Sequence, residues 1–305
     1  VIDLFSNPTV RLLGAHLRRQ GHGEVGGSGS KQKGGRRAAA HAELPDPTRV
    51  MQLFSGNKTA GGGGATSQRG AAIAVIGMAG VFPGAANIGE FWQNLRGGID
   101  SLRRFSNAEL ASKGVPAEVY THPNWVGAAQ LLDNPDHFDA FFWGISATEA
   151  RLMDPQQRMF LQTAWHAVES AGYAPRSGTP TRTGVFAACG IDGYLIHHLE
   201  GGGLHDPLDP GRWFLTETGN EKDYIATRVS YQLDLGGPSF TVNSACSSGL
   251  VALASAAASL RAGQCDMAIA GASSLTFPGS GYLYADGLVA SVDGHVRPFD
   301  AAASG

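Results

Sequence analysis

Cysteine is scarce in this chain of 305 residues: Cys189, Cys246 and Cys265 are the whole complement, and none stands in a Cys-x-x-Cys pair. That spacing excludes a disulfide framework and points to a reducing compartment. An excess of one charge sign is also lacking. A formal net charge of −3 gives nucleic-acid binding no general electrostatic support. No apolar run reaches the length of a membrane span, and no secretory signal heads the sequence. A cytoplasmic location is therefore expected, with organellar targeting left open because the first residue is Val1 rather than Met. The run Gly61-Gly62-Gly63-Gly64 lacks the Gly-Lys-Ser/Thr ending of a phosphate loop, which excludes a nucleotide site there. The sequence stops at Ala301-Ala302-Ala303-Ser304-Gly305. Both ends are expected to be cuts in a longer polypeptide.

Three regions differ in composition. Residues 1–20 carry a turn at Asn7-Pro8 and a short amphipathic helix, with Val10, Leu13 and Leu17 at helical spacing. This "DLF…PTV…L…HL" pattern resembles the C-terminal tail of an acyl- or peptidyl-carrier domain; an arbitrary amphipathic helix end is the alternative. Residues 21–70 are rich in Gly, Ser and Lys and read as a flexible linker. The basic residues Lys31, Lys33, Arg36 and Arg37 read as its solvated face.

The globular part starts at residue 71. The continuous apolar run Ala72-Ile73-Ala74-Val75-Ile76-Gly77-Met78 predicts a buried strand. Helices are expected over residues 88–95 and 155–172, the second with Met159, Phe160, Ala164, Ala167 and Val168 along one face. A strand follows over 183–188, then a helix or turn over 224–232. The last set is strand 239–243, helix 247–262 closed by Gly263, and strand 266–272. Strand, helix, strand in that order predicts a crossover and a largely parallel sheet. The helix from Ser247 is apolar all round, which predicts burial on every side, between two sheets.

One junction carries chemistry. The run Ser239-Phe240-Thr241-Val242-Asn243 ends just before Cys246, and the small-residue helix starts directly after it. A cysteine at a helix N-terminus meets unpaired N–H groups and the positive end of the macrodipole, which favour the nucleophilic thiolate.

Several stretches together resemble the β-ketoacyl synthase (ketosynthase) domain of modular polyketide or hybrid peptide–polyketide synthases, within the thiolase superfamily. They are Ile73 to Gly84 (IAVIGMAGVFPG), Phe138 to Ser146 (FDAFFWGIS), Asp154-Pro155-Gln156-Gln157-Arg158, and Asn220 to Tyr231 (NEKDYIATRVSY). Ala245-Cys246-Ser247-Ser248 and Asp293 to Ala301 (DGHVRPFDA) follow in the family's order. The resemblance implies an α/β fold of the thiolase-like layered αβαβα type, with residues 71–305 as the first of two similar halves. It implies that Cys246 accepts an acyl group from a carrier's phosphopantetheine thiol, before decarboxylative Claisen condensation with a malonyl-type extender. The Cys246 backbone N–H would serve an oxyanion hole, a donor worth about 3 kcal/mol. The ketosynthase part binds no cofactor of its own; the phosphopantetheine sits on carrier domains, its attachment serine outside this chain. Implied partners are acyl- or peptidyl-carrier domains, an extender-unit acyltransferase, and a second copy in a homodimer. Nucleic acid, membrane and metal play no part in that picture.

The family completes its site with two histidines, in a Gly-Thr-Gly-Thr-flanked motif and an Asn-Ile-Gly-His motif, and neither motif occurs here. The chain as given is therefore expected not to condense; as half of a two-half fold, which leaves a large apolar face exposed, it is also expected to fold weakly or not at all alone. His295 belongs to the Asp-Gly-His stretch; His197, His198 and His205 read as solvated loop residues, and His166 as a partly buried packing residue. Asn243-Ser244 replaces the usual Asp-Thr, and Gly249 stands where serine is common. Cys189 is a weak candidate for a second nucleophile and Cys265 is structural. Asp223 with Arg228, and Arg297 with Asp300, read as structural ion pairs. The alternative function is a non-elongating ketosynthase-like domain that only transfers or gates acyl chains, or serves dimerisation.

Overall fold

The computed structural model describes residues 72–199 and 209–305. The proposed carrier tail, the linker and His205 lie outside them. The described residues fall into two units, one running to His295 and including Gly305, the other holding Val296–Ser304. In the second, the Asp300 N–H donates to the Arg297 carbonyl at 3.3 Å and the Ala303 N–H to the Asp300 carbonyl at 3.2 Å, a tight turn.

The larger unit is built on a three-stranded parallel sheet. Its labelled elements, in chain order, are helices α1 (Ile88–Gly97), α2 (Ala147–Leu152) and α3 (Pro155–Ser170), then strand β1 (Thr183–Cys189). Next come α4 (Pro210–Asn220), α5 (Tyr224–Leu233), β2 (Ser239–Thr241), α6 (Ser248–Arg261) and β3 (Met267–Ser273). The strand order is β2–β1–β3, with Val185 opposite Ser239 and Ile269, and Cys189 opposite Ser273. Two short antiparallel pairs stand apart: Arg103–Arg104 with Ala128–Ala129, and Trp125–Val126 with Tyr282–Leu283.

Strand β1 is buried at all seven positions because both of its faces are covered. Val185, Ala187 and Cys189 turn to one side and join Phe160, Ala164 and Val168 of α3 and Ile225, Ala226 and Val229 of α5. Phe186 turns to the other side, onto Ala252 and Ala256 of α6. Side chains of a strand alternate between faces, so a strand buried on both is apolar nearly throughout, and the one hydroxyl, of Thr183, donates to the Pro180 carbonyl at 2.6 Å. Burying Phe186 completely is worth about 2–3 kcal/mol, and its ring meets Phe240 edge-on at 5.0 Å. Gly237 is demanded by close approach: a Cβ there would stand 2.5 Å from the Thr183 carbonyl at the start of β1.

Local signals fix the helix ends. Asp154 caps α3 through the Gln156 N–H at 2.7 Å, with Pro155 at the first helical position. Gly263, at φ 68°, closes α6, its own N–H reaching the Leu260 carbonyl and that of Gln264 the Ser259 carbonyl. These two bonds are the Schellman pattern.

Two sequence expectations fail. Residues 72–78 form no strand, and Val75, Ile76 and Met78 are more than half exposed. An apolar run becomes a strand only where a sheet edge offers it free backbone partners, and neither edge strand, β2 or β3, pairs with it. Instead it runs beside α3, where the Met78 N–H meets Ser170 Oγ at 3.3 Å. Likewise α6 is not buried all round. Ser248, Ala252, Ala256 and Ser259 make its one buried face, while Leu250 and Leu253 are 74% and 53% exposed. A single sheet covers a single helical face. No helix among the described residues is long and apolar enough to cross a membrane.

Candidate active site

Beyond the carboxyl end of β2 the chain makes a tight turn before α6, and Cys246 sits in it. A 3-10 turn, Ala245–Ser247, runs directly into the α-helix at Ser248. Ala245 takes φ +52°, in the left-handed region that costs a non-glycine residue about 1–2 kcal/mol. Serine hydroxyls hold it there. Ser248 Oγ accepts from the Ser244 N–H at 2.8 Å and donates to the Ala245 carbonyl at 2.8 Å. Ser247 Oγ donates to the Ser244 carbonyl, also at 2.8 Å. The strained turn presents Cys246 outward: of the three cysteines it alone is exposed.

The other two are shut in. Cys265 is 2% exposed, with Sγ 3.5 Å from Ser259 Oγ, as its structural reading requires. Cys189 is 8% exposed, and burial, with Asp154 and Asp192 adding to it, pushes its thiol up to about 12. It therefore stays protonated throughout the neutral range. Iodoacetamide at pH 8 is expected to alkylate Cys246 and leave Cys189 and Cys265 unmodified in the folded protein. Peptide mass mapping checks this, and equal labelling of Cys189 would overturn the reading of its burial.

The other residues singled out in the sequence scatter. His197 and His198 are exposed, as expected, with His198 stacked on Tyr194 at 4.8 Å. His166 is exposed rather than packed, its Nδ1 3.1 Å from Glu169 at the next turn of the helix, because its position lies off the buried stripe of α3. His295 Nδ1 meets Asp100 Oδ2 at 2.6 Å, and Arg104 reaches its Nε2 at 3.3 Å. The Leu102 N–H and then His295 hold the Asp100 carboxyl below the usual range.

Arg228 pairs with Glu149 at 3.3 Å, not with Asp223, which precedes α5 as its N-cap residue. One turn of helix later, Arg228 faces inward toward α2. There it also donates to Gln157 Oε1 at 3.0 Å and to the Thr218 carbonyl at 2.9 Å. Burial lowers the Arg228 pKa while Glu149 opposes the shift.

Gln156 stood in the sequence only as part of the Asp154-to-Arg158 stretch, with no role of its own. Its side chain is fully buried and bonds the loops that follow β1 and β3, at the same carboxyl end of the sheet as Cys246. Ser244, Ser247 and Ser248 likewise stood in the sequence as motif residues without a role in holding the turn, although their clustering around a cysteine at a strand-to-helix junction was the available signal.

Comparison with known proteins decides the family. The sequence pattern described as "Beta-ketoacyl synthase, N-terminal domain" matches residues 71–305. The chain belongs to the β-ketoacyl synthase family. Over 244 residues, 77% of this chain, it is 45% identical to one protein of the phenolphthiocerol/phthiocerol polyketide synthase of Mycobacterium tuberculosis. It spans 16% of that relative's length. A solved ketosynthase, the twelfth of the bacillaene polyketide synthase of Bacillus amyloliquefaciens, superposes with a TM-score of 0.68 at 37% identity. That match covers 76% of this chain and 40% of the solved one. The ketosynthase from module 1 of the bacillaene synthase gives 0.61 at 33% identity, covering 75% and 38%. The fold class is thus the thiolase-like layered α/β type expected from the sequence, and the described three layers, α6, sheet, and α3 with α5, belong to it.

Proposed function

We propose that this chain supplies the acyl-accepting part of a ketosynthase working in polyketide chain elongation, with Cys246 as the nucleophile. One observation carries the reading: a family member presents a single exposed cysteine on a strained strand-to-helix turn beyond the carboxyl end of a parallel sheet. Ligands of open α/β sheets bind at that end, and the first turn of α6 points N–H groups and a positive dipole at it.

In the loading step the Cys246 sulfur attacks the carbonyl carbon of an acyl thioester. A new sulfur–carbon bond forms, the old one breaks, and the proton of Cys246 ends on the departing phosphopantetheine thiol. The thioester then stores the acyl group, dividing one difficult step into two. In the larger synthase a malonyl-type extender loses CO2, and its carbanion displaces Cys246 to form the new carbon–carbon bond. Donor and acceptor carriers, an extender-unit acyltransferase and a second copy of the domain are the partners this chemistry calls for. The phosphopantetheine belongs to the carriers. Three unpaired cysteines support a reducing, cytoplasmic setting.

The test is adduct mapping. Incubation of the parent polypeptide with an N-acetylcysteamine acyl thioester is expected to add one acyl mass to the peptide containing Cys246. An adduct confined to another residue would sink the assignment.

A further inference from the structure

Gln156 uses every hydrogen-bonding position of its side-chain amide. Oε1 accepts from the Gly190 N–H at 3.1 Å and from the Leu275 N–H at 3.1 Å. Nε2 donates to the Ile191 carbonyl at 3.1 Å and to Asp154 Oδ2 at 3.1 Å. Two donors and two acceptors are all that a primary amide offers. Full satisfaction in a buried site fixes the amide in one orientation, because any rotation strands a polar group without water to replace its partner.

Its partners are not scattered. Gly190 and Ile191 begin the loop after β1, and Leu275 lies in the segment after β3. Gln156 therefore ties together the ends of two neighbouring strands, where the Gly190 N–H also donates to the Ser273 carbonyl at 2.9 Å. A methyl group at Gly190 would stand 2.6 Å from Gln156 Oε1 and 2.8 Å from Ser274 Oγ, so the chain passes there without room to spare. The two loops touch again further on, where the Tyr194 and Phe277 rings meet at 5.9 Å.

The strands that lead into these loops flank the turn that carries Cys246. The Val242 N–H, just past β2, donates to the Ala187 carbonyl of β1 at 2.8 Å. On the other side a methyl at Gly249, in the first turn of α6, would rest 3.4 Å from Ala272 of β3. The strand ends that Gln156 fixes are thus the neighbours of the Cys246 turn on both sides.

We propose that Gln156 is a positioning residue that sets the protein wall against which the acyl chain of a Cys246-bound thioester lies, by clamping the loops after β1 and β3. The inference rests on Cys246 being the acyl acceptor. Gln156 touches neither sulfur nor substrate in this role; it acts through Gly190, Ile191 and Leu275. A mis-set wall disturbs the long acyl chain and leaves the small-molecule chemistry of the sulfur untouched.

The experiment compares wild type, Gln156→Leu and Gly190→Ala in the parent polypeptide. Three rates are measured on the Cys246 peptide: loading from octanoyl-N-acetylcysteamine, loading from acetyl-N-acetylcysteamine, and alkylation by iodoacetamide. In both variants octanoyl loading is expected to fall about tenfold or more, acetyl loading by less, and alkylation by under about threefold. Equal loss of all three rates would assign Gln156 to stability alone, as would failure of both variants to fold where wild type folds. Unchanged octanoyl loading in a folded Gln156→Leu variant would also overturn the proposal while leaving Cys246 as the acceptor. Wild type that loads neither thioester on Cys246 removes the functional reading itself, and the proposal with it.

Discussion

Replacing Cys246 by alanine is expected to abolish acyl loading while leaving the fold in place. Loading from an acyl thioester should drop by about 10³-fold or more, because no other group near the α6 start offers a thiolate. Cys189 cannot substitute: burial keeps its thiol protonated, and its side chain points into the α3–α5 side of the sheet. Cys265 lies in the α6–sheet core. Stability should hardly change, within about 0.5 kcal/mol, since the Cys246 side chain is exposed and the turn is held by Ser244, Ser247 and Ser248. Intact-protein mass and a thermal melt measured together separate lost chemistry from lost structure. Persistent single acylation of Cys246→Ala would show that another residue is the acceptor.

The largest stability effect is expected from Arg228→Leu. Its side chain is 13% exposed, and its guanidinium serves three partners from three different places in the chain: Glu149 of α2, Gln157 of α3 and Thr218 of α4. Removing one member of a buried pair leaves the other charge without compensation, a loss of about 3–5 kcal/mol. Here the Gln157 and Thr218 oxygens lose a donor as well. The melting temperature should fall by roughly 10 °C. Glu149→Gln, which keeps an acceptor for Arg228 but removes its counter-charge, should cost about 2–3 kcal/mol. If Arg228→Leu melts within a degree or two of wild type, the network does not stabilise the protein. Acyl loading of any Arg228→Leu that stays folded should be near normal, since no bond of Arg228 reaches the Cys246 turn.

Much of the sheet was legible in the sequence, and the reason is periodicity. The apolar run from Thr183 matches a strand covered on both faces, and Gly237-Pro238 marks where the chain turns against it. Gly263 announced the end of its helix because cap geometry is local, whereas the cap that Asp154 makes was found only in the structure. The run Ile73 to Met78 misled, since its composition suits a buried strand and only a pairing partner could make it one. The surface of α6 misled in the same way. An apolar face says that a partner is wanted, not that one is present. The isolated chain should bind a hydrophobic dye such as anilinonaphthalene sulfonate, because Phe240, Leu250 and Leu253 are all about half exposed or more.

Arg228 shows the limit of reading pairs from nearby positions. Asp223 is five residues away in sequence, yet the bond goes to Glu149, which only the packing of α4 against both α2 and α5 brings within 3.3 Å. Gln156 shows the same limit for the site. A glutamine after a proline at a helix start carries no sign that it bonds two loops more than thirty and more than a hundred residues away.

By itself, then, the sequence determined the family, the parallel order of the central strands and the cysteine at the strand-to-helix junction, because motif spacing and side-chain periodicity are properties of the chain alone. The tertiary structure decided which cysteine is open, which carboxylate Arg228 meets, and which polar side chain fixes the loops beside Cys246. Burial and long-range hydrogen bonds exist only once distant segments are packed together.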